Sequence, residues 1–281
     1  MKSGISYLRH YLKIIRPLNV LISIISIWVA ALISSQFHVN TRLILGGLVA
    51  ALITCGANII NDIYDIQIDR INKPGRLLPS GAVSTETAWK FFYFSYGLAL
   101  IIAVFSGWDM FFVASLVAAC LYWYSAVLKR TILWGNIMVS FSTGVAFIYG
   151  AMAVYDWPAG IIPGIFAFFF HFGREIIKDM QDIEGDLSEN AVTFAGKKGM
   201  KSSIALVNLI FILLITLTIV PYILNIYNLT YLFVVVFGVD LVLLIVSISI
   251  WKWNDHSALG KWSHLLKLDM VVGLIAIYLG S

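Results

Sequence analysis

The sequence predicts an all-α, polytopic membrane protein, and three observations predict it. Hydrophobic residues fill 60% of the 281 positions and charged residues only 12%, with a mean hydropathy of +0.90, a balance foreign to soluble globular domains. The apolar residues gather into runs that repeatedly approach or exceed the ~20 residues needed to cross a hydrocarbon core. Lys and Arg concentrate in every second connection between those runs, the pattern of loops kept on the cytoplasmic side. The formal charge of +4 is too small to argue for nucleic acid and reports those basic loops.

Taken in order, the apolar runs place nine membrane helices near residues 17–37, 43–60, 91–106, 110–127, 132–154, 159–177, 203–224, 228–250 and 263–280. Arg16 and Pro17 lead into the first, which is too long for a cleavable signal and has no small-residue cleavage site after it. Lys2, Arg9, Lys13 and Arg16 precede that helix, and Arg70, Lys73, Arg76 and Lys90 follow the second. Lys129 and Arg130 follow the fourth, Lys197, Lys198 and Lys201 the sixth, and Lys252 and Lys261 the eighth. The alternate connections, around Asp109, Asp156 and Asn225 to Asn228, carry no Lys or Arg, and the first carries only Arg42. The N-terminus is therefore expected in the cytoplasm and the C-terminus outside the cell membrane. Residues 1–281 read as one transmembrane domain. Cys55 and Cys120 sit inside apolar runs without metal-like spacing and read as packing residues.

Two connections are longer than a helical bundle needs. Residues 70–90 hold Asn72-Lys73-Pro74-Gly75-Arg76 and Pro79-Ser80-Gly81, and 186–201 hold glycines and three lysines. Long loops on one face of a rigid scaffold are candidates for lids or binding loops.

The second apolar run ends in Asn61-Asp62-Ile63-Tyr64-Asp65-Ile66-Gln67-Ile68-Asp69. A helix that has just crossed a bilayer must give such charge a partner. If the stretch is helical, Asn58, Asn61, Asp62, Asp65 and Asp69 share roughly one 100° sector, so their oxygens converge. The sixth run closes with the same device: His171, Glu175, Lys178, Asp179, Asp182 and Asp186 again share roughly a 100° sector. Either cluster alone could be a solvated helix end. Two matching ones, each closing an even-numbered helix in what could be an approximate internal repeat, argue for a common ligand.

Asp65, Asp69, Asp182 and Asp186 would repel one another strongly at a partly dehydrated membrane edge. Oxygen-only ligation suits a hard ion such as Mg²⁺, which takes one or two carboxylates and leaves positions for phosphate. Two Mg²⁺ ions would neutralise the four charges and bridge to a diphosphate, with Lys73, Arg76, Lys129, Arg130 and Lys178 available for its remaining charge. Such a sandwich beneath an aromatic-rich membrane cavity suits ionisation of an allylic diphosphate, whose apolar tail the bundle can take.

These residues resemble the UbiA superfamily of intramembrane prenyltransferases. The resemblance rests on Asn61-Asp62-x-x-Asp65-x-x-x-Asp69, Asp182-x-x-x-Asp186, Asn72-Lys73-Pro74-x-Arg76 with Ser80-Gly81, Arg16-Pro17-x-Asn19, and Tyr124-Ser125-x-x-Leu128-Lys129-Arg130. It covers essentially the whole chain. It implies nine helices around a central cavity, an active site on the cytoplasmic side, and Mg²⁺ between the two motifs. By position, Asn61, Asp65 and Asp69 would serve one metal site and Asp182 and Asp186 the other, while Lys73, Arg76 and Lys129 would face phosphate oxygens. With Lys129, Asp65, Asp69, Asp182 and Asp186 make up the expected catalytic group. Arg16, Asn19, Asn58, Asp62, Tyr124, His171 and Asp179 are expected along the substrate cavity. Within the superfamily the motif wording is most similar to archaeal members that join a second geranylgeranyl chain to geranylgeranylglyceryl phosphate, an ether-lipid step in phospholipid biosynthesis. The extra cations Arg174 and Lys178 fit a phosphorylated acceptor as well as a diphosphate donor. Leu77 stands where the family often has Pro, and Thr193-Phe194-Ala195-Gly196 replaces a frequent Thr-Leu-Pro wording. The expected partners are thus a prenyl diphosphate, a lipid-like phosphorylated acceptor and membrane lipid, with no protein partner implied. Two other readings remain: prenyl transfer to an aromatic acceptor such as 4-hydroxybenzoate, and a cation transporter. The second would need polar groups continuing through the bundle, and the remaining runs are expected to offer few.

Overall fold

Capping residues set where these helices start, whereas hydropathy marks only the part that lies in lipid. The computed structural model describes residues 13–188 and 191–281; Lys2 and Arg9 lie outside them. Helix α1 is Pro17–Leu32. Asn40 accepts from the Leu43 N–H to open α2, Thr41–Tyr64, and a short helix α3, Ile66–Asn72, follows it. Ser84 accepts from the Thr87 N–H, so α4, Thr85–Ser106, starts six residues before its apolar run. Then come α5, Trp108–Ala126, α6, Trp134–Met152, α7, Ile161–Gln181, and the short α8, Ile183–Ser188. Thr193 caps α9, Phe194–Ile223, by accepting from the Gly196 N–H, and Gly199 interrupts its helical dihedrals (φ 80°, ψ 170°). Helix α10, Leu229–Ser249, contains a π-helical turn at Val235–Asp240. Asp255 accepts from the Ala258 N–H to open α11, His256–Gly280. Side-chain oxygens at these caps satisfy N–H groups that a helix start leaves without partners.

Eight of these helices are long and apolar enough to cross a membrane. The ninth expected crossing is α1, with 16 residues and a length of ~24 Å against the ~30 Å of a hydrocarbon core. The early starts of α4 and α9 also shorten the two connections taken as lids. The first reduces to residues 73–84, and it is pinned: Leu78 and Val83 are buried against Ile59, Ile60, Ile63 and Phe92.

Two buried clusters flank the centre. One joins α1, α2, α4, α5 and α6 around Ile27, Leu43, Val49 and Met110. The other joins chiefly α7, α9, α10 and α11 around Ile176, Phe211, Leu214 and Leu266. Helices α6 and α7 connect them at close range: a Cβ on Gly144 would lie 2.7 Å from the Gly164 carbonyl oxygen, the small-residue contact that lets backbones approach in lipid. Between the clusters lies a cavity of about 500 Å³ lined by every long helix except α4, which packs on the outer side of α2. Cys55 and Cys120 are free, half-buried thiols.

Candidate active site

Each acidic motif is a long helix, a break at an aspartate, and a short helix. Asp65 stands between α2 and α3 with φ −92° and ψ 4°, and Asp182 between α7 and α8 with φ −92° and ψ 9°. The amide of each break residue still bonds four residues back, Asp65 to Asn61 at 2.9 Å and Asp182 to Lys178 at 2.9 Å. The chain therefore bends without losing its helical hydrogen bonds. The continuous helices assumed from spacing alone are corrected at these two residues.

The two motifs meet. Asn72, closing α3, donates to the Asp182 carbonyl at 3.0 Å, and Lys73 next to it reaches both Asp182 carboxylate oxygens at 2.7 and 2.6 Å. Gly185 allows this approach, because a Cβ there would lie 2.4 Å from the Asn72 amide nitrogen and 3.0 Å from Ile68. Lys129, in the turn between α5 and α6, pairs with Asp65, and Asn61 donates to the same carboxylate at 2.8 Å. Burial pulls the Lys129 ammonium down, but Asp65, with Asp182 and Asp186 behind it, raises it above the ordinary lysine value. One cation thus feels carboxylates of both motifs. Arg76 pairs with Asp69 at 2.5 Å and Asp62 at 3.3 Å. Its own burial works against the charge, and Asp62 and Asp69 hold its pKa above the usual arginine value. Asp69 is lifted by burial in spite of Arg76. Asp186, 2% exposed, has no cation partner among the described residues, and burial pushes its carboxyl up to about 6 against the pull of Lys129.

The oxygens that share a sector in sequence divide between two tasks. Asn61, Asp65 and Asp69 face the basic groups of the mouth, while Asp62 and Asn58 also fasten α1. Asp62 pairs with Arg16, Asn58 donates to the Ile15 carbonyl at 2.8 Å, and Asn19 donates to Asn58 at 3.1 Å. Arg16 sits at φ 54° and ψ 74°, a left-handed conformation costing roughly 1–2 kcal/mol for such a residue, and it is held there by this lattice.

The cavity opens beside the mouth. Arg16, Asn19, Asn58, Tyr124 and His171 line it, and so do Asn61, Lys73, Arg76, Arg174 and Lys178. Asp62 and Asp179 do not: Asp62 is taken up by Arg16 and Arg76, and Asp179 accepts from Asn136 on α6 at 2.7 Å. Arg130 is also corrected. Its side chain is exposed and pairs with no acid among the described residues, whereas its backbone carbonyl accepts from the Val192 N–H at 3.0 Å. Arg174 and Lys178 share Glu175, at 3.4 and 2.8 Å.

The family model for UbiA prenyltransferases matches residues 23–268. This chain belongs to that family. Among curated relatives, the digeranylgeranylglyceryl phosphate synthase of Metallosphaera sedula is 35% identical over 277 residues, covering 96% of this chain and 95% of that one. Its namesake from Methanothermobacter thermautotrophicus is 33% identical over 272 residues, with 96% and 95% covered. A solved digeranylgeranylglyceryl phosphate synthase structure matches with a TM-score of 0.75 at 32% identity, over 97% of this chain and 98% of that one. A UbiA homolog from Archaeoglobus fulgidus, solved with DMAPP and Mg²⁺, shares the fold with a TM-score of 0.67 at 19% identity, over 95% and 98%. The chain is an intramembrane prenyltransferase.

The residues of this mouth fit divalent cations. No three Asp, Glu, His or Cys side chains close into a ready ligand set among the described residues, because lysine and arginine nitrogens already stand among the carboxylates. The donors are oxygens only, they come from both motifs, and Asp186 lacks a cation of its own among the described residues. That set suits a hard ion.

Reading the UbiA motifs missed part of the wall. Glu175 fell in the second sector without being given a role, and Ser263 and Lys267 on α11 also line the cavity. Lys267 carried a usable signal, an ionisable group in an apolar run. So did Asp240 and Asp269, both 3% exposed within α10 and α11. They correct the expectation that the later helices are nearly free of such groups. Thr218 donates to Asp240 at 3.1 Å.

Proposed function

We propose that this enzyme transfers a geranylgeranyl group from geranylgeranyl diphosphate to the hydroxyl of geranylgeranylglyceryl phosphate, with Mg²⁺ as cofactor. The observation that carries this reading is the meeting of the two motifs, Lys73 on Asp182 and Lys129 on Asp65, beside an apolar cavity. The names of the full-length relatives favour this acceptor over an aromatic one. We take residues 1–281 as one UbiA-type domain with this mouth in the cytoplasm, as the basic loops suggest.

In this reading Asn61, Asp65 and Asp69 would hold one Mg²⁺, and Asp182 and Asp186 a second. Bound there, Mg²⁺ would supply positive charge against the charge developing on the departing diphosphate. Lys73, Arg76 and Lys129 are within reach of the same carboxylates and take phosphate oxygens as charge-assisted donors. The acceptor oxygen bonds to C1 of the prenyl chain, the C1–oxygen pair leaves with diphosphate, and the hydroxyl proton passes to the departing diphosphate. The cavity walls, with Phe147, Phe166 and Phe170 among them, receive the chain and keep water from the electron-poor C1.

Purified protein given radiolabelled geranylgeranyl diphosphate with either geranylgeranylglyceryl phosphate or 4-hydroxybenzoate tests this. Label is expected in the phosphorylated diether alone, lost on chelation and restored by Mg²⁺. Label in the aromatic product would replace the acceptor, and label in neither would end the proposal.

A further inference from the structure

At the mouth every cation has a carboxylate partner, whereas on the wall cations outnumber carboxylates. Lys73, Arg76 and Lys129 each have a carboxylate to themselves, and Arg76 also shares Asp62 with Arg16. On the wall, Arg174 and Lys178 share the single carboxylate of Glu175, which is 4% exposed. Lys267 pairs with no acid among the described residues. Arg174, Arg16 and Lys178, all positive, line the same cavity. Arg174, Lys178 and Lys267 together outnumber Glu175 by two positive charges, inside a membrane-enclosed cavity where such an excess calls for a counter-ion.

These groups form one patch. The Arg174 Nε donates to the Ser263 carbonyl at 3.1 Å, and Lys267 lies one helical turn beyond Ser263, on the same face of α11. Arg174, Glu175, Lys178, Ser263 and Lys267 all line the cavity, with His171 one turn before Glu175 on α7. The His171 Nδ1 is buried without a partner, a further hydrogen-bonding position that the protein leaves open.

Taking the transfer reaction proposed above as given, we infer that Lys267, with Arg174 and Lys178, forms a second anion subsite that holds the phosphate monoester of the acceptor, apart from the diphosphate site at the mouth. A phosphate monoester carries about −1.5 to −2 at neutral pH, which matches the excess of two; a carboxylate carries half of that. Glu175 positions the two α7 cations and keeps their repulsion in check, and Lys267 supplies the uncommitted charge. The phosphate and the reacting hydroxyl sit on one glycerol unit, so holding the first orients the second toward C1. The subsite thereby selects phosphorylated lipid acceptors over aromatic acids.

Kinetics of Lys267→Met and Lys267→Arg on geranylgeranylglyceryl phosphate and on its dephosphorylated alcohol test this. Lys267→Met is expected to raise KM for the phosphorylated acceptor about ten- to a hundredfold, the loss of one charge-assisted contact. KM for the donor and the poor turnover of the alcohol should stay within about twofold of wild type, and Lys267→Arg should recover most of the affinity. A rise in donor KM, an equal loss with both acceptors, or an unchanged KM for the phosphorylated one would overturn the subsite. Direct binding of geranylgeranylglyceryl phosphate to wild type and Lys267→Met, without donor or Mg²⁺, reads the subsite by itself. If wild type transfers no prenyl group to either acceptor, the reaction is at fault, and binding weakened by Lys267→Met still supports the subsite while equal binding still refutes it.

Discussion

Asp186 carries the charge that the mouth does least to neutralise. Its carboxyl is raised to about 6 by burial, while an unfolded aspartate titrates at about 3.9. Between these values the folded protein binds more protons than the unfolded chain, so this group's contribution to stability falls as pH rises through about 4 to 6. Above 6 the folded state bears the whole cost, about 3 kcal/mol. A divalent ion at Asp186 would relieve that cost, so stabilisation by Mg²⁺ should be largest above pH 6 and shrink toward pH 5, where protons compete. Thermal unfolding in detergent at several pH values, with and without Mg²⁺, checks this; Asp186→Asn should flatten the profile. Asp65 and Asp182 have a different role, since each marks a bend and pairs with a lysine. Asp65→Asn and Asp182→Asn are expected to lower kcat/KM by at least about 10²–10³-fold, with folding retained by circular dichroism. A variant that turns over normally at limiting Mg²⁺ would remove that residue from the metal site.

At the level of elements, the site depends on α3 lying against α8. Gly185 sets that distance, so Gly185→Val should push Asn72 off the Asp182 carbonyl and move Lys73 with it. Activity should drop about a hundredfold, as a misplacement of about 1 Å far from the reacting atoms can do, with little loss in the unfolding temperature because α3 and α8 contribute little to either buried cluster. Near-normal activity in that variant would mean the two short helices need not touch. Much of this element layout is legible in the sequence. The aspartates at 61–69 and 182–186 declare themselves because charge ending an apolar run is costly, and the run lengths declare the helices. The bends at Asp65 and Asp182 are not legible, since a four-residue spacing reads the same through a straight helix and a kinked one. The Arg16 to Asp62 pair is also hidden, because its partners lie 46 residues apart. Ser84, Thr193 and Asp255 were readable as caps; hydropathy runs, which start inside the lipid, place those helix starts several residues late.

Across the whole molecule, the mouth is where two halves with separate buried clusters face each other. Asp65 and Asp69 come from the half built on α1 to α6, Asp182 and Asp186 from the half built on α7 to α11, and Lys73 and Lys129 are first-half cations that reach or feel second-half acids. A ligand that engages both motifs should therefore stabilise the protein as a clasp does, by a term that needs both sides at once. With Mg²⁺ and inorganic diphosphate at about 100 times the dissociation constant, linkage gives about 2.7 kcal/mol, a rise of several degrees in unfolding temperature for a chain of this size. Asp65→Asn alone and Asp182→Asn alone should each abolish most of that rise, and the double variant should lose little more than either, the signature of residues acting through one shared ligand. Half-sized losses that add in the double variant would instead mean two independent ion sites, one on each half, with the diphosphate touching only one of them.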